Sequence, residues 1–334
     1  MSNDNASNQF ESRPGAVGSP PQHYGNPLGE QKALSEGLAI VDLSDRGVIT
    51  ITGPDRLSWL DSLTSQSLKH LAPGESAETL LLDPTGRLEH AMRVVDDGET
   101  TWLLVDAGEA QPLAAWLDRM RFMLRVEVAD RSSDFVTIGT LGDRELPAAV
   151  VWVDPWNGVV AGGHQYAASR PNAPWSYREV LVAPGADLSS HPAAGTLALE
   201  ALRIAAWRPR LATEADDRSI PHELDWLRTA VHLNKGCYRG QETVAKVHNL
   251  GHPPRRLVML HLDGTVPAAG DEVLAGDNVV GAVTSAGLHH ELGPIALAVI
   301  KRSADPAIDL VVQTSDGPIA AAQEVIVPTD AGAE

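Results

Sequence analysis

Cys237 is the only cysteine in 334 residues, and its neighbours are of the kinds that could make a sulfur reactive. It lies in Lys235-Gly236-Cys237-Tyr238-Arg239-Gly240-Gln241-Glu242, with Lys246 a few residues on. A thiol attacks or ligates as the thiolate, and nearby cations favour that form. Lys235 and Arg239 stand two positions either side. Gly236 and Gly240 have no Cβ, so the backbone there can turn sharply or approach a ligand closely. Gln241 and Glu242 add an amide and a carboxylate for hydrogen bonding. The competing reading is a small, inert, buried thiol in a glycine-bounded turn, and residue chemistry alone leaves both open.

Other groupings carry less. His248 and His252 have the four-residue spacing that sets two imidazoles on one helical face. Gly251 and Pro253 interrupt that stretch, so they read as two loop histidines, and neither they nor His289-His290 are assigned a metal. Trp59 and Trp116 fall at helical core spacing and read as structural. No phosphate loop, Gly-x-Ser-x-Gly elbow or His-Glu-x-x-His is present.

The elements that must position the cysteine can be traced from periodicity. Residues 47–52 alternate as a strand, and Asp55 is placed to cap a helix that carries Leu57, Trp59, Leu60 and Leu63. Strands are expected at 79–82 and 88–95, joined by the turn Asp83-Pro84-Thr85-Gly86. A strand at 101–105 and a helix over 109–123 follow, then strands at 126–128, 135–141, 150–153 and 179–183. A helix over 196–207 stops before Pro209. The acidic stretch 210–223 has few apolar anchors and is expected to fold over a site. After Pro253-Pro254, six short β runs between 257 and 328 suggest a small antiparallel barrel.

Composition narrows the classes. At this length two or three domains are expected. The division expected is a flexible tail at 1–30, a region of two subdomains at 31–252 and a barrel domain at 253–334. The net charge of −18 disfavours direct binding of nucleic acid. One cysteine excludes an internal disulfide or an all-protein Cys-rich metal site. No segment reads as a signal peptide or membrane span, so a cytoplasmic protein is expected.

The string from Lys235 to Glu242, with Tyr238 as its aromatic and Lys246 as its trailing base, resembles the signature of the YgfZ family of folate-binding proteins. Stretches 55–74, 80–95, 199–209, 220–223 and 281–302 resemble that family in the same order. The resemblance implies an α+β fold like that of the T-protein (aminomethyltransferase), with a small C-terminal antiparallel β-barrel. It implies tetrahydrofolate or another reduced folate as cofactor, and iron–sulfur proteins or assembly factors as partners. The link to tRNA modification would be indirect. Cys237 would act as nucleophile or transient cluster ligand, with Lys235 and Arg239 favouring its ionisation and Glu242 orienting the loop. Arg203 and Glu223 become candidates for the folate carboxylates and the pterin edge. The T-protein's acidic pair maps to His90-Ala91, a departure that argues against glycine-cleavage chemistry. A folate-dependent aminomethyl or one-carbon transferase is the alternative.

Overall fold

The computed structural model describes residues 9–169, 171 and 173–333. Residues 1–8 of the expected tail lie outside that range. The rest of that tail is folded. Phe10 is fully buried against Ile40, Ile138 and Val182. The segment then crosses to the start of a later helix, where the carbonyls of Pro21 and Gln22 accept from Thr196 N (3.0 Å) and Leu197 N (3.1 Å). The Asn, Ser, Gly and Pro that looked like disorder are here the residues of turns. They need few apolar anchors because the backbone groups are satisfied by the body.

Helix α1 (Pro27–Ser35) leads into β1 (Ile40–Asp42) and β2 (Gly47–Thr52). Next come α2 (Arg56–Leu63), β3 (Ser76–Leu82), β4 (Leu88–Asp96), β5 (Thr100–Val105), α3 (Ala110–Met120) and β6 (Glu127–Asp130). One sheet runs β3-β4-β5-β2-β6. Successive side chains of a strand point to opposite faces. Ile49 and Ile51 of β2 therefore pack with Leu103, Leu113 and Leu117 on the helix side. Val48 and Leu104 join the central core on the other side. α3 ends three residues before the expected Met123, and Asp55 turns its carboxylate to Arg125 instead of capping α2.

A second sheet is formed by β7 (Val136–Leu141), β8 (Ala148–Val153), β9 (Tyr177–Val182) and β10 (Ala193–Ala194) with β1, in the order β10-β1-β7-β9-β8. Helix α4 (Thr196–Ala205) is buried along most of its length and packs against α1 and the barrel. The acidic stretch holds α5 (Leu211–Glu214) and a 3₁₀ turn, Pro221–Leu224, before α6 (Leu227–Ala230) and α7 (Gln241–Leu250).

The remaining strands are β11 (Arg255–Leu262), β12 (Glu272–Ala275), β13 (Asn278–His289), β14 (Gly293–Lys301), β15 (Leu310–Thr314) and β16 (Gly317–Val325). They close into a six-stranded antiparallel barrel, β11-β14-β13-β12-β15-β16. In β11, Val258, Leu260 and Leu262 fill the barrel, whereas Leu257 and Met259 face the central core. Both faces are apolar because both are covered. No helix among the described residues is long and apolar enough to cross a membrane.

Candidate functional site

The cysteine loop rests on the α2 end and on the β3–β4 turn, and its own residues hold it there. The side chain of Lys235 is buried, and its Nζ donates to three backbone carbonyls, those of Asp61, Thr64 (2.9 Å) and Gln66 (2.7 Å). Burial pushes the pKa of this ammonium down, against the pull of Asp61, whose Oδ1 is 3.5 Å away. Gln241 Nε2 closes the loop on Lys235 O at 3.3 Å, and Tyr238 is buried beneath it. Gly240 has φ +84°, and a Cβ there would lie 2.7 Å from Asp83 O. Only glycine fits at so close an approach with that backbone. Gly236 meets nothing within 4 Å, so crowding does not explain it.

Cys237 is exposed on this frame, which removes the inert buried reading. The expected activation is not built as drawn. The Lys235 ammonium is enclosed by carbonyls, and Arg239 pairs with Glu89 while its guanidinium lies 5.7 Å from the Trp116 ring. Glu242 and Lys246 are exposed in α7. Lys235 and Arg239 therefore fix the loop, Glu242 does not orient it through any bond among the described residues, and none of these charged groups hydrogen-bonds the sulfur.

A cavity of about 600 Å³ opens between the two sheets. Its walls come from β3 and β4 (Glu78, Ala91, Arg93), from β9 (Tyr177), from α4 and the residues after it (Glu200, Arg203, Arg208, Arg210), and from the N-terminal segment (Ser19, Pro20, Gln22). Trp175 and Tyr177 stack with centroids 5.0 Å apart and planes at 28°. Arg208 bridges Glu78 and Asp154 at 2.5 and 2.9 Å, and Trp175 Nε1 donates to the same Asp154 at 2.8 Å. Glu179, fully buried, takes Arg46, Arg93 (2.9 Å) and the Tyr177 hydroxyl (3.0 Å). Burial raises the Asp106 pKa, but the Arg93 and Arg46 guanidiniums outweigh it and hold this carboxyl well below the usual range. In the wall, Arg208 Nη1 and Trp226 Nε1 are buried donors without a partner. A flat, polar heterocycle with a charged tail suits such a cavity: a stacked aromatic pair, both signs of charge, and a volume within the range of small-molecule sites.

Cys237 does not line this cavity, and neither does Glu223. Glu223 is fully buried in an ion pair with Arg255 of β11 (2.8 Å), so the barrel, not a pterin edge, takes its charge. Arg203 does line the cavity, but it is no solvated pair. It binds Glu200 (2.6 Å), Glu214 (2.8 Å) and Ser285 (2.8 Å), joining α4, the acidic stretch and the barrel. Of the pair expected to be acidic in a transferase, Ala91 faces the cavity and His90 bonds Glu109 outside it. His248 lies in α7 against His164 and Tyr166, whereas His252 bonds Ala331 O (2.9 Å), so the two share no site. Sequence reading missed Arg46, Arg93, Arg208, Trp175 and Tyr177. They come from distant strands and loops, and no local spacing links them.

Comparison with known proteins agrees with this architecture. Residues 9–145 match the GCVT N-terminal domain, and residues 255–328 match the glycine cleavage T-protein C-terminal barrel domain. An aminomethyltransferase from Nostoc sp. is 29% identical over 304 residues, covering 81% of this chain and 79% of that protein. An iron–sulfur cluster assembly factor IBA57 homolog, mitochondrial, from Mycosarcoma maydis is 24% identical over 243 residues, 67% of this chain and 58% of that one. The crystal structure of the glycine cleavage system aminomethyltransferase T from Bartonella henselae superposes with a TM-score of 0.75. It covers 97% of both chains at 17% identity, which supports the fold. With a GCVT-like N-terminal domain and a T-protein C-terminal barrel in order on one chain, this protein has the domain organisation of the T-protein superfamily.

Proposed function

We propose that this chain is a cytoplasmic, YgfZ-like protein that binds a reduced folate, tetrahydrofolate in the first instance, and supports assembly or repair of iron–sulfur clusters. The observation that carries the reading is an exposed thiol on a loop whose cations are all occupied in holding that loop. A rigid frame presenting one reachable sulfur suits delivery to a partner more than turnover inside a cavity the sulfur does not line. The stacked Trp175 and Tyr177 would take the flat ring of the folate, and the arginine-rich wall its carboxylates. Iron–sulfur proteins are the partners, and any effect on tRNA modification runs through them.

The similarity to aminomethyltransferases keeps a one-carbon transferase as a second reading. Asp45 is the cavity carboxylate that forms no ion pair among the described residues, and it would be the base available to such chemistry. Ala91 lines the cavity at one of the two positions to which the T-protein's acidic pair maps, which weighs against it.

Calorimetric titration with tetrahydrofolate tests the shared premise, and Cys237→Ala separates the two readings. The variant is expected to bind folate as the parent does and to lose support of iron–sulfur enzymes in cells. Full activity of those enzymes with Cys237→Ala overturns the assembly role. Turnover of an aminomethyl donor by both proteins would establish the transferase.

A further inference from the structure

The turn between α3 and β6 presents three consecutive apolar side chains to water. Phe122 is 80% exposed, Met123 98% and Leu124 45%. Phe122 has φ +46°, a conformation that costs a bulky residue free energy. The turn is nonetheless fixed in place. Leu124 N donates to Arg121 O (2.9 Å), Val126 N to Leu124 O (3.0 Å) and Trp59 Nε1 to Met120 O (3.2 Å). Arg125 binds Asp55 through Nε and Nη2 at 3.0 and 2.7 Å. A side chain at Gly53 would lie 2.0 Å from Arg125 O, so the turn sits directly on that glycine. A backbone already held in place loses little further freedom when a partner covers the turn.

The charges around the turn indicate which partner. Arg119, Arg121 and Arg125 are matched by Asp55, Asp118 and Glu127, so this patch is neutral in a chain of net charge −18. Arg121–Asp118 (2.9 Å) and Arg125–Asp55 (2.7 Å) pair internally. Arg119 and Glu127 remain, one of each sign, both exposed and neither in an ion pair among the described residues. A two-fold contact needs a self-complementary surface, in which each copy's residue i meets its partner's residue j. An apolar centre with one spare cation and one spare anion meets that requirement. Elsewhere the acidic surfaces of two copies repel each other.

We propose that this turn is a self-association surface, with Phe122, Met123 and Leu124 of two copies packed across a two-fold axis and Arg119 facing Glu127 of the partner subunit. The contact is independent of the folate reading. Sedimentation velocity over a series from about 1 µM to about 1 mM is the test. The full chain should dimerise within that range, and Phe122→Ser/Met123→Glu should weaken association at least about tenfold. Arg119→Glu should weaken it, and Arg119→Glu/Glu127→Arg should restore it. All four are surface changes, and circular dichroism checks that they fold. A monomer throughout the series, equal association by the apolar variant, or no rescue by the charge swap overturns the proposal. So does a monomer that sediments with phosphatidylserine vesicles, which would make the turn a membrane contact instead.

Discussion

At the scale of single residues, the motif's two most chemical-looking members do opposite jobs. Lys235 resembles an activating cation in sequence, yet it caps three carbonyls in the fold. Replacing it with Met leaves those carbonyls buried and unmatched, and stability should fall by about 3 kcal/mol in urea denaturation. Cys237→Ala, at an exposed position, should stay within about 0.5 kcal/mol of the parent. Equal losses from both would mean the lysine is no staple. The motif was legible as a unit because its residues are contiguous. The targets of Lys235 were not, because backbone carbonyls leave no trace in residue type.

At the scale of elements, α7 links the cysteine loop to a histidine cluster. His222 is fully buried below that helix and bonds Val244 O through Nε2 at 3.0 Å. Burial, with smaller contributions from His248 and His164, pushes its pKa down to about 3. The folded state therefore keeps this imidazole neutral, while the unfolded chain protonates it near 6.5. Stability from this group is complete above pH 6.5 and is lost as pH falls towards 3. Between pH 6.5 and 5 the loss should be about 2 kcal/mol in urea denaturation. His222→Gln should flatten that slope, and an unchanged slope would locate the acid sensitivity elsewhere. The helix itself was hidden by Gly251 and Pro253, which end it at Leu250 rather than prevent it. Strands were easier to read, since 47–52 alternates and 257–262 is a short, mostly apolar run bounded by turns.

Across the whole molecule, two arginines tie the barrel to the body. Arg255 holds Asp216 and Glu223, and Arg203 reaches Ser285 from α4. Glu223 has no solvent access, so Arg255→Ala strands a buried carboxylate and should cost about 3–5 kcal/mol. Hydrogen exchange should then rise first in β11 and the 216–224 stretch; uniform change across the chain would count against a coupling role. The barrel was visible from turn spacing and strand composition. The cavity was not, because its arginines and aromatics converge from both sheets and are brought together only by tertiary packing.

The amino-terminal segment does more than begin the chain. Its Pro21 and Gln22 carbonyls receive the opening N–H groups of α4, and Ser19, Pro20 and Gln22 form part of the cavity wall. A proteolytic nick or bulky modification between Gly15 and Gly25 would therefore remove a side of the cavity and loosen the helix behind it together. Affinity for the proposed folate thus doubles as a gauge of whether residues 9–25 are intact.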